Sequence, residues 1–119
     1  MKEDKIYLQH ILDAIKNIEN FMGKIEQEEF GGSLLIQNAV IRQLEVIGEA
    51  VKKLSSDLKK NYKNIPWKDI AGLRDKLIHN YFGVDILLVW TICKRDIPEL
   101  KKFISKILQI TKNKKDISG

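Results

Sequence analysis

The chain has 119 residues, 44% of them apolar, so it is long enough to bury a core without disulfides and too apolar to be disordered. Cys93 is the one cysteine, which excludes an internal disulfide and a Cys/His zinc cluster and suits a reducing, cytoplasmic setting. The net charge of +5 favours an acidic partner such as nucleic acid. Lysine-rich stretches such as "LKKNYK" and "TKNKKD" carry much of the excess and read first as a solvated face.

The N-terminus "MKEDKIYLQH" mixes acids and bases and lacks the apolar core of a signal peptide. The first predicted helix runs from about Asp4 to Lys24, with Leu8, Ile11, Leu12, Ile15, Ile18 and Met22 as its buried stripe. "EQEEFGGS" breaks it, and Ser33 is suited to cap the next helix. That second helix is expected to run to about Lys60, with Ile36, Val40, Leu44, Ile47, Val51, Leu54 and Leu58 on one face. A third begins near Pro66, which suits a first helical turn, and ends near Phe82-Gly83. Asp85 caps a fourth, whose run from Ile86 to Trp90 is far too short to span a bilayer. Pro98 is expected to kink or break the path before a last amphipathic helix to about Ile110, followed by a basic tail from about residue 111.

No segment alternates with period two, and there is no repeat or linker. The expectation is therefore a single all-α domain over residues 1–119, an antiparallel bundle of four or five helices.

Lysine supplies 18 of the 21 basic residues, so Arg42, Arg74 and Arg95 stand out. Arginine grips phosphate or carboxylate with a planar fork that lysine lacks. In the second helix Asn38, Arg42, Glu45 and Glu49 fall at i, i+4, i+7 and i+11, a polar stripe beside the apolar one. It is either a solvent-facing ladder of ion pairs or the wall of a cleft or subunit interface. Gly48 lies near its edge, and a mid-helix glycine is best tolerated where another backbone comes close.

The densest chemistry lies in "GLRDKLIHNYFGVD". Tyr81 follows Arg74 by seven residues, almost the same helical face; Asp75 precedes His79 by four and shares its face. Each residue alone has a structural explanation: a helix-end cation, a core aromatic, an i,i+4 pair. Together, histidine can move protons and arginine can stabilise charge developing on phosphate. That is sufficient for RNA cleavage without a metal or cofactor, the RNA's own 2′-hydroxyl attacking the adjacent phosphate. The reaction is easiest with two proton carriers, and His10 has no partner pattern. A symmetric dimer would bring two copies of Arg74 and His79 to one cleft.

Arg74-x4-His79-x-Tyr81, set in "IPWKDIAGLRDKLIHNYFGVD", closely resembles the HepT-like branch of the HEPN superfamily, the toxin halves of prokaryotic toxin–antitoxin pairs. "AVIRQLEVIGEAVKKL" resembles it too, and the similarity runs from the first helix to the one after Pro98. The resemblance implies a HEPN-like helical homodimer acting as a metal-independent endoribonuclease. Arg74 would hold the scissile phosphate and His79 would be the general acid or base. Asp75, Asn80, Asn38, Arg42, Glu45 and Glu49 would support the site or line its cleft. Tyr81 would take AMP from a nucleotidyltransferase antitoxin, silencing the toxin. Asp75 stands where the family often has a neutral polar residue; its carboxylate either orients His79 or repels RNA phosphate. The competing expectation is a non-catalytic helical module that binds a nucleotidyltransferase or a nucleotide.

Overall fold

The structure, a computed structural model, describes the backbone of residues 2–78 and 85–118 and the side chains of 3–73, 75–77 and 85–110. Among the described residues the regular elements are all helical. They are α1 (Lys2–Met22), α2 (Gln27–Gly32), α3 (Leu34–Lys53), α4 (Ser56–Asn61), α5 (Trp67–Ala71), α6 (Leu73–Ile78), α7 (Ile86–Thr91), a π-helical turn (Ile92–Asp96) and α8 (Ile97–Ser118). The expected all-α bundle is what forms.

Helices α1 and α3 are its antiparallel spine. Asn17 donates to Gln43 at 3.2 Å, and the Asp4 carboxylate reaches Ser55 just past the far end of α3. Leu8, Ile11, Ile15 and Ile18 of α1 interleave with Val40, Leu44, Ile47 and Val51 of α3, all buried. Helix α8 lies along another flank of α1, buries Leu100, Ile104 and Ile107, and ties Lys101 to Glu19 at 2.9 Å.

The caps read from sequence form. Ser33 Oγ accepts from the Ile36 N–H at 3.2 Å, and Asp85 Oδ1 accepts from the Leu88 N–H at 3.0 Å. Five expectations need correction. The second helix stops at Lys53 instead of continuing to about Lys60. Leu54 is extended and Ser55 starts α4, because the buried Asp4 carboxylate accepts from both the Ser55 N–H (2.8 Å) and its hydroxyl (2.6 Å). The breaking segment holds a short helix of its own, α2, which buries Phe30 against Trp90 with ring centroids 5.4 Å apart. Gln37 Nε2 donates to the Phe30 and Gly31 carbonyls at 2.8 and 3.0 Å, satisfying acceptors at the end of that helix.

The third helix divides at Gly72 into α5 and α6. Its expected end at Phe82-Gly83 lies outside the described residues. Pro98 does not break the path. The backbone stays helical from Thr91 through Ile97, and the turn before the proline widens so that the Ile97 N–H bonds to the Ile92 carbonyl. A proline ring clashes with the carbonyl four residues back, and the wider π turn accommodates it. The last helix then continues past Ile110 to Ser118 through the segment expected as a tail.

Candidate functional site

The helix that begins the Arg74–Tyr81 motif is positioned by a glycine on another helix. A Cβ on Gly48 would sit 3.3 Å from the Ile70 carbonyl oxygen and 3.4 Å from that of Ala71. Gly48 is buried in the middle of α3, so the α5–α6 corner packs directly onto α3 backbone. This is the close approach that a mid-helix glycine suggested. Trp67 anchors α5 by burial and by donating its Nε1 hydrogen to the Tyr62 carbonyl at 3.0 Å. Helix α6 is held by Leu73 and Leu77, both buried, while Asp75 and Lys76 are exposed.

Arg74 lies in the backbone of α6, next to Leu73; its side chain is outside the described atoms. His79, Asn80 and Tyr81 lie outside the described residues. The structure therefore places where the motif starts, against α3, and describes Asp75 as an exposed carboxylate in the first turn of α6.

The polar stripe occupies the arc of α3 that the bundle leaves open. Asn38, Arg42 and Glu49 are exposed and Glu45 is half-buried. It makes one Arg–Glu pair, Arg42 to Glu45 at 3.4 Å, while Glu49 takes Lys52 at 3.4 Å. Single contacts of that length between exposed side chains contribute about 0.2–1 kcal/mol each. The stripe's residues pair loosely and face open space between α1 and the α5–α6 corner.

Two cavities flank this region. One, of about 440 Å³, separates α5 and α6 from the π turn and α8; Leu73, Ile92 and Phe103 line it, with Lys76 and Arg95 also at its edge. The other, of about 230 Å³, lies between α1 and α3 and is lined by Tyr7, His10, Arg42, Val46, Glu49, Ala50 and Lys53. Sequence reasoning left His10 without a partner. The structure sets its ring edge-on to Tyr7, centroids 5.9 Å apart, across from Arg42. The antiparallel register of α1 and α3 creates that neighbourhood, and no spacing within either helix announces it.

Cys93 does not serve as a nucleophile at neutral pH. Burial pushes its thiol up to about 12, although the nearby Lys94 charge pulls the other way. Among the described residues, no group of three or more His, Cys, Asp or Glu side chains converges to hold a metal ion.

Comparison with known proteins matches residues 11–107 to a family model described as ribonuclease HepT-like. The candidate RNase MJ1216 of Methanocaldococcus jannaschii is 49% identical over 118 residues, covering 99% of this chain and 93% of the relative. The candidate RNase MJ0125 of the same organism is 50% identical over 108 residues, 91% of this chain and 93% of the relative. A protein of Thermococcus cleftensis named as a probable ribonuclease HepT is 46% identical over 106 residues, 89% and 96% of the two chains. No solved structure matches the chain significantly.

Proposed function

The chain belongs to the HepT-like ribonuclease family of the HEPN superfamily, and from that premise we propose that it is a metal-independent endoribonuclease toxin whose working site is shared by two copies of the chain. The observation that carries this reading is the position of Arg74-x4-His79-x-Tyr81 inside a family match that spans residues 11–107.

In the proposed reaction the 2′-hydroxyl of one nucleotide attacks the adjacent phosphorus. One His79 imidazole takes the hydroxyl proton as the O–P bond forms. Arg74 balances the charge that builds on the non-bridging oxygens, the step where a positioned cation contributes most. The bond to the 5′-oxygen then breaks, and that oxygen receives a proton from an imidazolium, leaving a 2′,3′-cyclic phosphate and a free 5′-hydroxyl. Two proton transfers at opposite sides of one phosphorus call for two carriers. The second carrier is His79 of a second copy, so the active form is a homodimer.

Silencing follows from the same spacing. A nucleotidyltransferase antitoxin transfers AMP from ATP to the Tyr81 oxygen, with pyrophosphate leaving. The new phosphodiester brings negative charge and bulk within a few residues of Arg74, where it competes with RNA phosphate for the guanidinium. The test is intact-mass analysis of the chain co-expressed with the nucleotidyltransferase encoded beside it. A gain in AMP units that Tyr81→Phe abolishes supports the reading. An unmodified chain, or modification that persists in Tyr81→Phe, contradicts it.

A further inference from the structure

The cavity between α1 and α3 is lined by none of the described residues of α6 and combines an aromatic edge with cations. Tyr7 packs half-buried against the core, so its ring is held before anything binds. His10 stands exposed beside it at 87° between ring planes. Arg42, with 70% of its side chain exposed, lies at one end of the α3 wall, and Lys53 at the other. Eleven residues separate them, about 16 Å along a helix. They therefore serve successive anionic groups along a chain and cannot grip a single phosphate together. The carboxylates nearby do not close the site. Glu45 holds Arg42, and Glu49 holds Lys52, through single 3.4 Å contacts that an incoming phosphate replaces at small cost.

Size narrows the ligand. At about 230 Å³ the cavity is smaller than the roughly 300–1,000 Å³ of pockets that enclose a whole small molecule. It suits one planar base whose backbone continues past it. Position narrows it further. Helix α3 carries the cavity on its α1 flank and Gly48, with the corner leading to Arg74, on the other. A helix with its side chains is about 10–12 Å across. A strand engaged where α6 begins reaches the cavity by crossing the polar arc of α3, where Arg42 borders both.

We propose that the α1–α3 cavity is an RNA subsite for a nucleotide flanking the cut, its base against Tyr7 and His10 and its phosphates on Arg42 and toward Lys53. This rests on the ribonuclease reading, and the two can fail separately. The experiment measures binding of a short fluorescein-labelled single-stranded RNA to the His79→Ala chain over a series of salt concentrations. Arg42→Gln and Lys53→Gln are each expected to lower the slope of log K against log salt by about 0.7, the loss of one phosphate contact to a single strand. His10→Ala and Tyr7→Leu are expected to weaken binding roughly 5- to 150-fold with the slope unchanged, whereas Tyr7→Phe, which keeps the ring, retains affinity. Circular dichroism melts confirm that each variant is folded, and exposed His10 carries the aromatic test if Tyr7→Leu is not.

Wild-type affinity and slope in Arg42→Gln, Lys53→Gln and His10→Ala would overturn the subsite. Lost self-association with unchanged RNA binding would also overturn it and assign the face to an interface between copies. RNA left intact by the wild-type chain refutes the ribonuclease reading, while slopes lowered as predicted would still establish the RNA subsite.

Discussion

Gly48→Ala tests how the motif is positioned. In an exposed helix interior alanine gains about 0.8–1 kcal/mol over glycine. Here the added methyl meets two backbone oxygens, at 3.3 and 3.4 Å. Neither can rotate away like a side-chain tip, so α5 or α3 must shift by a few tenths of an ångström. Overpacking costs about 1–3 kcal/mol, and a misfit this small belongs at the low end. The two terms nearly cancel, leaving Gly48→Ala between neutral and about 1 kcal/mol destabilised. Gly48→Leu has no such offset and is expected to lose about 3 kcal/mol or more. Gly31→Ala is the internal control. That glycine is also helical, and nothing lies within 4 Å of its added Cβ, so the substitution should stabilise. Urea denaturation followed by far-UV circular dichroism gives all three values. A Gly48→Ala chain stabilised by the full ~1 kcal/mol, with Gly48→Leu tolerated, would refute the close approach of the α5–α6 corner.

Asp4→Ala should cost about 2–3 kcal/mol in the same urea assay, because it leaves the Ser55 N–H without its charged acceptor and unties α1 from the start of α4. Phe30→Ala should cost about 3–5 kcal/mol, since Phe30 is fully buried and joins α2 to Trp90; a loss below 1 kcal/mol would contradict that packing. Cys93 should resist a disulfide-exchange reagent at pH 8 until the chain is unfolded. Its raised pKa means that the unfolded state releases the thiol proton first. The thiol's contribution to stability is therefore intact below about pH 9 and falls as pH rises toward 12. Comparing the pH dependence of unfolding in wild type and Cys93→Ala isolates that contribution from the lysines.

What the sequence disclosed follows from the range of the forces involved. Caps act over three residues, so Ser33 and Asp85 were legible, and the long amphipathic stripes of α1, α3 and α8 placed most of the core. The stop at Lys53 was not legible. It depends on Asp4, 51 residues away from Ser55, winning a backbone N–H that helical propensity alone would have kept in the helix. Helix α2, six residues long, is too short to show a period, and only the burial of Phe30 reveals its purpose. Pro98 signalled a break, but the π turn absorbed it. At the candidate site, the spacing of Arg74, His79 and Tyr81 was visible because it lies within 8 residues of sequence. The Tyr7–His10–Arg42 neighbourhood was not, because it exists only once α1 and α3 pair in register.

Arg74 and His79 are proposed to carry metal-independent RNA cleavage. That role is tested most directly by the rate at which the purified, unmodified chain cuts single-stranded RNA in EDTA, beside His79→Ala. Expected are cleavage by the wild-type chain, ends bearing 2′,3′-cyclic phosphate, and a rate lower by about 10²–10⁴ in the variant. Equal rates for the two proteins would contradict that role.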